Sequence, residues 1–177
     1  LKRYGCRKIL EAGCGSGNLA PYFLKAGYDY TGLDLHKEML KIAREVEPKA
    51  KFIRGDVRKL DLKSRYDAIL MTGRAFTYMT ANNDVINALK SFKKHLKKSG
   101  VLIFDNFDAE KVFKNFKKRH VQVAKHNGRR YKRISSNSMN LNNGWTWNWN
   151  ATYYIAEQGK TQIIKDKTVL RAFTEDE

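Results

Sequence analysis

Residues 11–18 read Glu-Ala-Gly-Cys-Gly-Ser-Gly-Asn, a carboxylate followed by glycines at three alternate positions, Gly13, Gly15 and Gly17. Glycine accepts positive φ and leaves room that a Cβ would fill, so this spacing marks a loop where a ligand lies against the backbone. The apolar pair Ile9-Leu10 in front and a helical pattern behind place the loop between a strand and a helix. Asp34, Asp56, the pair Thr72-Gly73 and the pair Asp105-Asn106 likewise follow short apolar runs. A carboxylate in such a place accepts hydrogen bonds from hydroxyls, amines or an ammonium.

The scaffold that positions these groups is legible in the alternation of apolar runs and helical patterns between residues 7 and 102. Strands are expected at 9–11, 28–34, 51–54, 66–72 and 101–104, and helices at 18–26, 37–47 and 82–97. Asn18 is expected to cap the first helix, with Pro21 in its first turn and Gly27 closing it. Pro48 ends the second helix, whose apolar stripe is Met39, Leu40, Ile42, Ala43 and Val46. Gly100 stops the third, which buries Val85, Ile86, Leu89, Phe92 and Leu96. Such alternation implies a parallel sheet with helices on both faces and ligands beyond the carboxyl ends of its strands. The glycine loop and the four later sites all fall at that edge. Asp67 stands at the start of its strand, at the opposite end, and reads as structural, while Cys14 reads as a bystander.

The pattern changes after a basic helix-like segment at 109–118. Asn127-Gly128, Asn143-Gly144 and Gln158-Gly159 are hairpin-turn candidates, and the runs at 120–126, 129–141, 145–156 and 160–173 then make an antiparallel meander. Trp145, Trp147 and Trp149 alternate, with Tyr153 on the same parity, so in a strand they share a face. They either pack the meander against the core or a second subunit, or form an aromatic wall that favours an amine or ammonium.

Glycine loops that seat a pyrophosphate prefer glycine or alanine at the sixth position, where this chain has Asn18. Glu-Ala-Gly-Cys-Gly-Ser-Gly instead resembles the first motif of class I S-adenosylmethionine-dependent methyltransferases. Thr31-Gly32-Leu33-Asp34-Leu35-His36 resembles the second, Ile53-Arg54-Gly55-Asp56-Val57 the third, and the run from Tyr66 through Thr72-Gly73 the fourth. Ser99-Gly100-Val101-Leu102-Ile103 resembles the turn into the fifth strand. The resemblance covers residues 7–107 and implies an α/β, Rossmann-like parallel-sheet core at 1–108, with a helix and antiparallel β extension packed on it at 109–177. It further implies the cofactor S-adenosylmethionine, released as S-adenosylhomocysteine, without a metal. Glu11 would then take the ammonium of the methionine moiety, Asp34 the ribose hydroxyls, and Asp56 and Val57 the adenine, with Thr72 and Gly73 at the mouth where cofactor and substrate meet. Gly13, Gly15, Gly17, Asn18, Leu35 and Met39 complete the expected cofactor-binding set.

Arg74 and Tyr78 are the expected substrate-positioning residues, with Phe76, Thr77, Asp105, Asn106 and Phe107 nearby in sequence. Arg74 suits a carboxylate or phosphate. The stretch Thr72-Gly73-Arg74-Ala75 lacks the Asn/Asp-Pro-Pro-aromatic motif of amino methyltransferases that act within nucleic acids. The extension loosely resembles that of the glycine and amino-sugar N-methyltransferases, through element order and Arg133-Ile134-Ser135.

Composition sets the outer limits. Of 177 residues 42% are apolar, enough for a sizeable core. The two cysteines and the lack of a signal-peptide pattern point to a cytoplasmic protein without disulfides, and no apolar run is long enough for a membrane span. The net charge of +17 is spread over both parts, with 21 basic and 11 acidic residues at 1–107 and 14 and 7 at 108–177. A polar small molecule, acidic or amine-bearing, is the expected acceptor. Nucleic acid on the basic surface is the alternative, a cofactor-binding protein without catalysis is a third reading, and the extension is a candidate homodimer surface. Because the chain opens at Leu1 and stops soon after an apolar run, a lid segment and further chain are expected beyond its ends.

Overall fold

In the computed structural model, which describes residues 1–141 and 144–177, the chain divides into two units, Leu1–Asn106 and Phe107–Glu177. In the first, β1 (Lys8–Ala12), β2 (Asp29–Asp34), β3 (Lys51–Arg54), β4 (Tyr66–Met71) and β5 (Leu96–Phe104) form one parallel sheet in the order β3-β2-β1-β4-β5. Helix α1 (Ala20–Lys25) joins β1 to β2, α2 (Lys37–Val46) joins β2 to β3, and α3 (Asn82–His95) precedes β5. The chain builds outward from β1 in one direction and then returns to its other side with β4. This reversal opens a crevice beyond the carboxyl end of β1, where the glycine loop begins. Ile9, Leu10, Ala68 and Ile69 are fully buried on the two central strands, as side chains covered on both sheet faces must be. Phe23 of α1 stacks on Tyr30 at 5.7 Å, and Phe52 meets the same ring edge-on at 6.2 Å.

Several local expectations are corrected. Asn18 is exposed and caps nothing: α1 starts at Ala20 after Leu19, because the loop closes on itself through Gly17 N–H to the Cys14 carbonyl and Ala20 N–H to the Gly17 carbonyl. In α2 only Leu40 and Ala43 are buried, while Ile42 and Val46 are exposed, since the helix lies over the short edge strand β3. The buried face of α3 is Ala88, Phe92 and His95 rather than one running through Ile86 and Leu89. His95 replaces an aliphatic residue there because its ring is satisfied: Nε2 accepts from Leu62 N–H at 3.0 Å and Nδ1 faces the Ser91 carbonyl at 2.8 Å. Gly100 does not stop that helix, which ends at His95. It lies inside β5, at a break in register where Tyr66 pairs with Leu96 and Ala68 with Val101. A Cβ at Gly100 would stand 3.0 Å from the Lys97 carbonyl and 3.1 Å from that of Tyr66. The glycine therefore lets the bulge close.

The second unit opens with α4 (Ala109–Lys114), shorter than expected, whose first turn is capped by the Asp108 side chain. Strands β6 (Arg119–His126), β7 (Arg129–Met139), β8 (Thr146–Glu157) and β9 (Lys160–Arg171) follow as an antiparallel meander. Asn127 and Gly128 (φ 47° and 75°) and Gln158 and Gly159 (φ 48° and 76°) turn the hairpins with positive φ at both central residues, as type I′ turns require. The Asn143-Gly144 candidate includes Asn143, outside the described residues. Trp145 precedes β8, so only Trp147 and Trp149 alternate within the strand. Trp147 is buried against Phe107 and Phe113, and Trp149 lies under the Arg133 guanidinium, so these two rings are occupied within their own unit.

Candidate functional site

The loop after β1 turns on Gly13, Gly15 and Gly17, with φ of 77°, 54° and 73°. They serve different ends. A Cβ at Gly17 would lie 2.9 Å from the Ala43 Cβ and 3.0 Å from the Phe52 ring, so Gly17 lets α2 pack against the loop. A Cβ at Gly13 would meet the Ala75 Cβ at 2.8 Å, so Gly13 seats the short 3-10 turn Ala75–Tyr78. At Gly15 only the Met39 methyl is near, at 3.5 Å, and its positive φ aims its N–H at Asp34 Oδ2, 2.9 Å away. Cys14 packs inward over Gly32, and burial, reinforced by Glu11 and Asp34, pushes its thiol up to about 12. It is a packing group, not a nucleophile.

Parallel order then lines up the acids. Asp34 ends β2; its Oδ1 accepts from His36 N–H at 2.9 Å while Oδ2 holds Gly15, so the carboxylate is fixed in orientation and retains a lone pair on each oxygen. Glu11, one residue before the end of β1, is 5% exposed and accepts a 2.5 Å hydrogen bond from the Tyr30 hydroxyl. Burial raises its pKa, an effect that Tyr30 opposes and Asp34 reinforces. Its second oxygen has no hydrogen-bond partner among the described residues. Asp56 follows β3 and is gripped by Arg58, through the backbone N–H at 2.9 Å and the guanidinium at 2.7 Å, which holds its carboxyl below the ordinary range. Asp105 follows β5 and accepts from Arg74 N–H at 2.7 Å.

This arrangement decides what the edge can hold. Gly13 and Cys14 donate to the Leu33 carbonyl, Gly15 to Asp34 and Gly17 to Cys14, so these four N–H groups are not available to cradle a diphosphate. Four carboxylates stand along the same edge of a chain with net charge +17. This charge pattern suits a cationic ligand bearing hydroxyls better than a nucleotide diphosphate.

The remaining candidates divide. Leu35 is exposed just past Asp34, Met39 half-buried in the first turn of α2, Val57 opens the 3-10 turn after Asp56, and Thr72 and Gly73 follow β4, with open space around Gly73. Arg74 (φ 66°) and Tyr78 are exposed on that same loop. Phe76 and Thr77 are not presented to a ligand: Phe76 stacks on Phe104 at 4.5 Å, and the Thr77 hydroxyl donates to the Arg74 carbonyl at 2.7 Å. Phe107 belongs to the second unit. Asp67, at the opposite end of the sheet, accepts from Arg7 and Lys8 N–H and pairs with Lys97, and those bonds bring its carboxyl down to about 2. Tyr30 and Arg58 escaped the motif reading. Strand parity exposes the first, since Glu11 pairs with Gly32, two residues beyond Tyr30 on the same face.

Comparison with known proteins agrees with this geometry. Residues 9–100, just over half of the chain, match the family described as methyltransferase domain. A glycine/sarcosine N-methyltransferase of Halorhodospira halochloris is 36% identical over 116 residues, 61% of this chain and 43% of that protein. A dTDP-3-amino-3,4,6-trideoxy-alpha-D-glucopyranose N,N-dimethyltransferase of Streptomyces venezuelae is 30% identical over 97 residues, 55% of this chain and 41% of that protein. The chain spans less than half the length of these curated relatives. In fold it is similar to the sugar N-methyltransferase KedS8 of Streptoalloteichus sp ATCC 53650, with a TM-score of 0.85 at 21% identity over 99% of this chain and 69% of that one. With the family match covering the strands that carry the glycine loop, Asp34 and Asp56, the chain belongs to the methyltransferase domain family.

Proposed function

We propose that this chain binds S-adenosylmethionine at the carboxyl edge of its parallel sheet and transfers the methyl group to nitrogen or oxygen of a small polar molecule. The observation that carries the reading is Asp34, fixed between the Gly15 and His36 N–H groups with a lone pair left on each oxygen, as two hydroxyls on adjacent ribose carbons require. Glu11, whose second oxygen has no hydrogen-bond partner among the described residues, would take the ammonium, and the burial of the residue makes that pairing strong. Asp56 would receive the adenine amine in exchange for one of its Arg58 contacts, with Val57 N–H facing the ring. Gly73, open on its Cβ side, would let the reacting end approach the backbone of the Thr72-Gly73 turn.

When bound, the sulfonium supplies an electrophilic methyl that needs an acceptor lone pair in line with the breaking bond. The chain's contribution is to bind, orient and exclude water, which accounts for most of the rate in such a transfer. Arg74, set in a left-handed conformation and tied through its N–H to Asp105, would orient an acidic acceptor, with Tyr78 beside it on the loop. The names of the relatives, which include N-methyltransferases of glycine and amino sugars and a malonyl-[acyl-carrier protein] O-methyltransferase, favour an amine or carboxylate acceptor. A panel of amino acids, amino sugars and small carboxylic acids, read by release of S-adenosylhomocysteine, tests this. Turnover on at least one class is expected, with KM raised about tenfold or more by Arg74→Ala. Cofactor binding without turnover on any acceptor would support instead a protein that only binds the cofactor.

A further inference from the structure

The meander carries most of its exposed cations on one side, with Arg129, Arg133 and Lys160 on the other. Side chains alternate across a strand, and the pairing of β6 through β9 runs without a break in register, so each residue can be assigned to a face. Arg119, Lys125, Arg130, Lys132, Lys165 and Lys167 share one face, and all six are exposed. Between them lie Val121, Val123, Ile134, Tyr154 and Ile163, of which Val123 is 62% and Ile163 56% exposed. No strand contributes an exposed carboxylate to this face: Glu157 and Asp166 stand on the other, with the packed Trp147 and Trp149. None of the six cations makes an ion pair among the described residues. A concavity of about 590 Å³ opens on the same face, lined by Val123, Arg130, Lys132, Ile134, Tyr154 and Thr161 among others.

Charge and shape together select the occupant. A second copy docking through this face would set six cations against six. A bilayer would meet short Val and Ile side chains overtopped by lysine and arginine, with none of the inserted Trp, Phe or Leu that interfacial binding uses. A duplex would turn phosphates to the cations but leave the apolar centre facing sugar and phosphate. An unpaired strand satisfies both halves, since its phosphates reach the rim while its bases lie on Tyr154 and the aliphatic centre. Cations two residues apart on one strand, such as Arg130 with Lys132 and Lys165 with Lys167, are separated by about 6.8 Å, a spacing on the scale of successive phosphates in an extended single strand.

We propose that this face of the meander binds single-stranded nucleic acid, without preference for sequence. The function goes beyond methyl transfer and does not depend on it. Fluorescence anisotropy with a short labelled oligouridylate, without methyl donor, provides the test. The intact chain is compared with the triple variant Arg130→Gln, Lys132→Gln, Lys165→Gln, with Tyr154→Leu, and with a control triple on α3, Lys90→Gln, Lys93→Gln, Lys94→Gln. Affinity is expected to fall with salt at a logarithmic slope of about −3 to −4, and the face triple is expected to bind about tenfold more weakly with a slope smaller by about 2. Tyr154→Leu is expected to cost about fivefold or more, the control triple less than about threefold. Equal losses in the two triples, no binding at low salt, or tighter binding to phosphatidylserine vesicles than to the oligonucleotide with Tyr154→Leu silent would each overturn the proposal. Unchanged melting temperatures of the variants, whose substituted cations are exposed, confirm that the loss is one of binding.

Discussion

At the scale of single residues, two carboxylates show how position sets role. Asp67 is held by two backbone N–H groups and Lys97, and its folded pKa of about 2 lies below the ordinary aspartate value. A depressed pKa contributes stability above the unfolded value, about 3.9, that is lost as pH falls toward 2. Asp67→Asn should therefore lower stability by about 1 kcal/mol near pH 6, allowing for solvent screening, with the gap to the parent narrowing below pH 4 in denaturant titrations. Glu11 is the converse case, a buried acid with its pKa raised. Its ionisation opposes folding, so its contribution is favourable at low pH and is lost as pH rises through its folded pKa. Glu11→Gln should make the ligand-free chain more stable at pH 7 and flatten the fall of its stability as pH rises above the ordinary glutamate range, while weakening cofactor binding about tenfold. Loss of stability in that variant would show that the carboxylate holds the fold rather than a ligand.

At the scale of elements, the glycine loop was legible because its demands are local. Three glycines at alternate positions announce positive φ, and all three have it. What each is for was not legible, because the atoms that crowd Gly17 come from Ala43 and Phe52, far along the chain. Gly17→Ala meets both a left-handed backbone and contacts of 2.9 and 3.0 Å, whereas Gly73→Ala, at φ 70°, meets only the backbone cost. Expected losses are about 3 kcal/mol or more and about 1 kcal/mol, measured by thermal or chemical unfolding. Strand positions read well from apolar runs and turn residues, and the Asn127-Gly128 hairpin was set by its dipeptide alone. Helix faces read less well: the third helix buries His95 in place of Ile86 and Leu89, because a backbone donor at Leu62 and an acceptor at Ser91 satisfy the ring. Gly100 looked like a helix stop but closes a bulge, a distinction set by the partner strand. The side-chain partners of the motif acids, Tyr30 and Arg58, emerged only when register and loop geometry were fixed.

At the scale of the whole molecule, charge sorts ligands. The chain is strongly basic, yet the edge at β1, β2, β3 and β5 is lined by Glu11, Asp34, Asp56 and Asp105, and the N–H groups of Gly13, Cys14, Gly15 and Gly17 are bonded internally. A dinucleotide such as NAD should accordingly bind at least about a hundredfold more weakly than S-adenosylmethionine in direct competition. The central claim is that this edge is an S-adenosylmethionine site organised by Asp34, and titration calorimetry of the intact chain and of Asp34→Ala with the cofactor tests it most directly. Saturable one-to-one binding in the parent and a loss of about tenfold or more in the variant, measured at a temperature where its unfolding curve shows it folded, is the predicted result. Equal affinity in the two proteins, or no binding to the parent, would contradict it.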